Sequence, residues 1–103
     1  FIYVEDVVRL LQKALVKKSS NNFVYNIGSG YPIRVKSVIQ KILKLTKRGK
    51  PLYGQIKLRT DETHSIFANI ESVKKEFNWY PKTDLINGLS KTIKFYKFLN
   101  ELS

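Results

Sequence analysis

The sequence predicts a helix-dominated α/β fold (α+β as an isolated piece) with a small sheet. Three observations predict it. Apolar residues recur at helical spacing in three long stretches. Two short runs rich in β-branched and aromatic residues lie between them. Gly, Pro and Asn mark most of the boundaries. The order reads helix, strand, helix, strand, helix, helix.

Val4, Val7, Val8, Leu11, Ala14 and Leu15 define the first helix. Glu5 and Asp6 sit in its first turn, where the helix dipole favours negative charge, and Lys17 and Lys18 close it. Ser19 to Asn22 has the composition of a loop. Phe23 to Ile27 reads as a strand, stopped by Gly28-Ser29-Gly30 and by Pro32, which cannot donate to a ladder. Val35, Val38, Ile39, Ile42 and Leu45 give the second helix, with Lys36, Lys41, Lys44 and Lys47 on its other faces. Gly49 and Pro51 end it. Tyr53 to Leu58 carries a weak strand pattern, and Arg59 to Ile66 is a polar loop. Asn69 is placed to cap a short helix over Ile70 to Phe77, and Asn78 to Pro81 breaks it. Asp84 caps a last helix carrying Leu85, Leu89, Ile93 and Tyr96 on one side. Trp79 is expected to anchor the short helix to this last one.

The bulk properties bound the function. The chain of 103 residues is one domain's worth, and with 43% hydrophobic residues it is too apolar for disorder. No apolar run approaches the roughly 18 residues of a membrane span. With no cysteine, thiolate metal sites, disulfides and Cys nucleophiles are excluded, and a cytoplasmic location fits. The chain opens at Phe1 in a run that already has strand character, so it reads as a fragment or an internal cut. The formal net charge is +11, and the excess is uneven. Val7 to Thr60 holds thirteen Lys or Arg and no Asp or Glu; Asp61 to Ser103 holds six of each sign. Such a face attracts phosphates or nucleic acid. Lys outnumbers Arg fifteen to four, however, and specific phosphate forks favour Arg. A solvated surface is the expectation, with no membrane and no specific nucleic acid as partner.

Several motifs have the form of chemical sites. Gly28-Ser29-Gly30 has the strand-to-helix context of a dinucleotide loop, yet Ile33 stands where a small residue belongs, Pro32 removes a backbone donor beside it, and no acidic residue follows some 20 residues later, the first after the turn being Asp61. Tyr53 and Lys57 have the spacing of an activated tyrosine, but Gly54 and Pro51 deny them the helix that would put both on one face. His64 is the only histidine and lacks metal-ligand company. Arg59, after the apolar Ile56 and Leu58, is the strongest candidate. A guanidinium held at the end of a strand can fork onto a diphosphate.

In sequence order, these segments resemble the extended short-chain dehydrogenases that act as nucleotide-sugar epimerases and dehydratases. Phe1 to Val8 is similar to the opening of a helix in their C-terminal half. Val24 to Gly30 resembles their Tyr-Asn-Ile-Gly strand and turn. Arg59 to Glu62 resembles their Arg-Pro-Gly-Asp segment, and Glu76 to Pro81 their Leu-Gly-Trp-x-Pro stretch. Gly88-Leu89 and Thr92 to Tyr96 match the closing helix. The resemblance implies that residues 1–103 form a substrate-binding C-terminal domain, a cap over a Rossmann domain that is absent here. It implies that Arg59 binds the substrate's diphosphate and that Glu62 reaches the ribose or an adjacent polar group. NAD or NADP would serve the parent enzyme and would not bind to this fragment alone. There the cofactor would oxidise a sugar hydroxyl transiently to a ketone. The implied partners are a sugar nucleotide and the N-terminal Rossmann domain. Thr60 departs from the motif's Pro, Asn69 from an Asp, and Arg34 from a Ser that would cap the second helix. A basic nucleic-acid-binding module and a folded fragment without activity are the alternatives.

Overall fold

A computed structural model describes residues 1–17, 24–57 and 66–102. Four helices form there: α1 (Val4–Val16), α2 (Val35–Thr46), α3 (Glu71–Phe77) and α4 (Leu85–Leu102). They fall on the four helical patterns of the sequence, and α4 runs six residues beyond Tyr96, the last residue of its pattern. The ends follow from local chemistry. The Asp84 carboxylate accepts the Asn87 N–H at 2.8 Å and so caps α4. The Asn69 side chain accepts the Glu71 N–H at 3.1 Å, one residue ahead of the position that opens α3. At Arg34 no side chain caps α2. Helix α3 stops where Asn78 enters the left-handed region at φ 48, and the amides of Asn78 and Trp79 turn back to the Lys74 carbonyl. Helix α2 stops at Lys47, φ 55, in the same way.

Among the described residues there is no strand, so the expectation of an α/β fold with a small sheet is overturned: the fold is all-helical. Residues 24–27 of the first candidate strand form no ladder, and Val24 is 83% exposed. Residues 53–56 of the second form a turn and a bend. The physical reason is that β-branched and aromatic patterning reports only how side chains suit a pleated, half-buried surface. A strand exists when its N–H and C=O groups pair with a neighbour in a ladder, and among the described residues of the two candidates no ladder forms. Tyr25 is held instead by an edge-to-face contact with Phe77, centroids 5.1 Å apart.

The helices pack as two pairs, α2 with α4 and α1 with α3. The main buried cluster lies with the second pair and comprises Leu10, Ile70, Val73 and Trp79, with Ile2, Tyr25, Ala68 and Phe77 around it, while Val38 is buried on α2. Trp79 is 2% exposed, and its indole N–H donates to the Asp6 carbonyl at 2.9 Å. It therefore fastens the end of α3 to α1, not to α4 as the sequence suggested. The N-terminal segment crosses α4 at Gly88, where an added Cβ would lie 3.4 Å from the Tyr3 Cβ. The chain is flat, 48 × 41 × 21 Å, with a radius of gyration of 16.8 Å. A compact domain of this length would measure about 13 Å.

Replacing Trp79 by Ala is expected to destabilise the chain by roughly 3–5 kcal/mol, through the cavity it leaves. A urea titration checks this as a lowered midpoint.

Candidate functional site

Arg59 and Glu62, the residues that the sequence put forward for substrate binding, lie outside the described residues, as does His64. The described chain shows what stands beside them. The Gly28-Ser29-Gly30 turn packs on the segment that follows the Arg59 stretch. A Cβ at Gly28 would meet the Ala68 Cβ at 3.1 Å, and one at Gly30, whose φ is +81, would meet Ile70 Cδ1 at 3.1 Å. The Ser29 hydroxyl is engaged with the N–H and carbonyl of Tyr31 at 3.3 and 3.2 Å. The glycines thus permit close packing against Ala68 and Ile70, and that accounts for them without a phosphate. Tyr53 and Lys57 do not share a helix; Tyr53 instead receives the Lys36 ammonium 5.4 Å above its ring.

Beside this turn lies a cleft of about 520 Å³, walled by the N-terminal segment, by Tyr31 and Ile33, and by the start of α4. Its lining is largely apolar, and most of its polar groups have partners. Asp84 is committed to the α4 cap, and the Thr92 hydroxyl donates to the Gly88 carbonyl at 2.8 Å. Lys82 makes no ion pair among the described residues and stands at the rim. The cleft can enclose a ring-bearing ligand and offer one cation to an anionic group. Among the described residues no group of three or more His, Cys, Asp or Glu side chains could hold a metal ion.

One wall of this cleft is set by a polar cluster that sequence reasoning missed. Asp6 is 2% exposed. Its carboxylate accepts from Arg9 Nη1 at 2.8 Å and from the Thr83 N–H at 3.0 Å. Burial by itself raises the Asp6 carboxyl pKa. The hydrogen bonds from Arg9, from the Thr83 and Lys82 backbone and from the Thr83 side chain outweigh it, holding the group below the ordinary aspartate value. Next to it, three cations one turn apart along α1 and its C-cap reach main-chain carbonyls at and beyond the end of α3. Arg9 donates to the Tyr80 carbonyl, Lys13 to that of Asn78 at 3.0 Å, and Lys17 to that of Glu76. Lys17 also pairs with the Glu76 carboxylate at 3.4 Å. The signal was present in the sequence: Asp6, Arg9, Lys13 and Lys17 recur at spacings of three and four, on the side of the helix away from Val4, Val8, Leu11 and Leu15.

No family model matches the chain, and no solved structure matches it. Curated proteins do. UDP-glucuronate 4-epimerase 2 of Arabidopsis thaliana is 30% identical over 93% of this chain and 25% of its own length. Protein CapI of Staphylococcus aureus is 25% identical over 93% of this chain and 34% of its own. The dTDP-4-dehydro-6-deoxyglucose reductase of Escherichia coli is 32% identical over 91% of this chain and 29% of its own. This similarity supports a relationship to the nucleotide-sugar epimerases of the short-chain dehydrogenase family. The chain spans about a quarter to a third of the length of these relatives. Among the described residues no helix is long and apolar enough to cross a membrane.

The depressed Asp6 pKa carries a prediction. Because the native carboxyl titrates below its unfolded value of about 3.9, its contribution is complete above that pH and is lost as the pH falls through the native value. Urea midpoints measured from pH 7 to pH 2 should drop across this acid limb. In Asp6→Asn the drop should be shallower, and stability at pH 7 lower by roughly 1.5–3 kcal/mol.

Proposed function

We propose that residues 1–103 are the substrate-binding, C-terminal domain of an NAD- or NADP-dependent nucleotide-sugar epimerase or dehydratase acting in the cytoplasm. The observation that carries this reading is the likeness to such enzymes over nine-tenths of the chain. The names of the plant and E. coli relatives share a feature: each denotes a sugar joined to a nucleoside diphosphate, UDP in one and dTDP in the other. The shared substrate feature is a diphosphate, and Arg59 is the residue that we assign to it. A guanidinium offers paired donors in a fixed plane, which suits the oxygens of two adjoining phosphates. Glu62, three residues on, is assigned to the ribose or a neighbouring polar group.

Among the described residues, the one turn with a dinucleotide loop's glycine spacing does not fit the cofactor. The Gly28-Ser29-Gly30 turn is filled by Ala68 and Ile70, and Pro32 supplies no N–H there. The cofactor would be held by the Rossmann domain of the complete enzyme. In this reading the chain binds and orients the sugar nucleotide, so that the reacting carbon is fixed relative to the cofactor. The alternative of a basic nucleic-acid module loses support because Arg9, Lys13 and Lys17 are already committed to carbonyls.

In the complete enzyme, Arg59→Ala is expected to raise the Michaelis constant for the sugar nucleotide by about tenfold to a hundredfold, with little change in kcat. Arg59→Lys should recover part of the loss, since an ammonium cannot reproduce the fork. Steady-state kinetics check both, and unchanged constants in Arg59→Ala would remove Arg59 from the site.

A further inference from the structure

The ends of α3 and α2 are closed differently. At the end of α3, cations from α1 donate to main-chain carbonyls. At the end of α2 the chain serves its own carbonyls. The Thr46 hydroxyl donates to the Ile42 carbonyl at 2.8 Å, and the Lys47 N–H donates to that of Leu43 at 2.8 Å. These two carbonyls need no side-chain cation. Two cations nevertheless stand close by: Arg48, just past α2, and Lys97 on α4 line a groove of about 700 Å³ between the two helices. Neither belongs to an ion pair among the described residues, and Glu101, one turn beyond Lys97, forms none with it. The half-buried Ile42, Leu89 and Ile93 give the groove an apolar lining, and Tyr96, 62% exposed, stands among them. Leu89 and Thr92 also line the 520 Å³ cleft, but neither cation does. Lys44, Lys47 and Lys50 add to the positive field, with no acid between Val35 and Lys57.

The lining selects the class of ligand. Two cations from separate segments suit an anion with charge on several oxygens. A phosphate monoester carries about −1.5 to −2 near neutral pH and offers three acceptor oxygens. Arg presents a planar fork to such a group, and Lys a mobile point charge. The C-terminus of α2 opposes any anion, so a singly charged group held by one cation gains little there. Inorganic phosphate would use the cations and leave the apolar lining wet. A flat ring joined to the phosphate covers that lining and packs against the tyrosine. We propose that the groove between α2 and α4 binds a phosphate monoester of a ring-bearing small molecule, with Arg48 and Lys97 on the phosphate and Tyr96 against the ring. This site is separate from the one assigned to Arg59. A sugar nucleotide is not its ligand, because both phosphates of a sugar nucleotide are bridged and neither is a monoester.

Phenyl phosphate is the probe, and acetylation of Lys97 in the complete polypeptide, read by peptide mass mapping, is the signal. Lys75, exposed on α3, is the control. Saturating phenyl phosphate is expected to slow acetylation at Lys97 by at least about tenfold relative to Lys75. Inorganic phosphate and phenol, each alone, should protect Lys97 far less. Arg48→Ala should raise the phenyl phosphate concentration for half protection about tenfold or more, and Arg48→Lys should restore part of it. Arg59→Ala should leave the protection as it was. Unchanged acetylation of Lys97 overturns the proposal. So does protection that inorganic phosphate reproduces in full, which would reduce the groove to a patch of charge. Protection that survives Arg48→Ala, or that Arg59→Ala abolishes, overturns it as well, the latter by placing the ligand in the sugar-nucleotide site.

Discussion

The burial of Asp6 organises the rest of the structure. A carboxylate removed from water is costly unless its lone pairs are met by donors. Those donors come from two places: Arg9, one turn along the same helix, and the backbone ahead of α4. The carbonyl of the same residue receives the Trp79 indole, the largest side chain of the core. One residue therefore joins α1, the end of α3 and the entry to α4. Remote parts of the chain, more than seventy residues apart in sequence, are held in register by three hydrogen bonds and a packed indole.

Two consequences follow from that anchor. With Asp6 turned inward, the side of α1 that carries Arg9 and Lys13 faces α3, and these with Lys17 become donors to carbonyls at and beyond the α3 C-terminus. That is a favourable place for cations, because the helix dipole and the unpaired carbonyls both attract them. Part of the large positive charge is thereby structural. The aliphatic side of α1 is left facing outward, and the thin, extended shape of the chain reflects helical pairs that bury little of their apolar surface.

The helices were legible because their signals are local. The periodicity of α1 and α2, the Asp84 cap and the Asn78 stop depend on neighbours within a turn or two. What was not legible depends on partners far along the chain. Asp6 read as an ordinary first-turn acid, since nothing near it in sequence reveals that Thr83 and Trp79 will meet it. Trp79 was correctly read as core but given the wrong neighbour for the same reason. Val24 to Ile27 has the composition of a strand, and composition cannot supply the ladder that makes one. For the site, Arg59 and Glu62 were reached through motif order alone, and the Gly28-Ser29-Gly30 turn was separated from a phosphate loop by Pro32 and Ile33 before the contacts with Ala68 and Ile70 gave it a structural role.

The functional account joins a likeness to sugar-nucleotide enzymes with a cleft bordered by the segments that carry that likeness. Its central claim is that this chain holds the diphosphate of a sugar nucleotide. The most direct measurement is a crystal structure of the complete polypeptide with a UDP- or dTDP-sugar bound. The account predicts the Arg59 guanidinium about 2.7–2.9 Å from diphosphate oxygens. A bound diphosphate held entirely by other residues, with Arg59 turned to solvent, would contradict it.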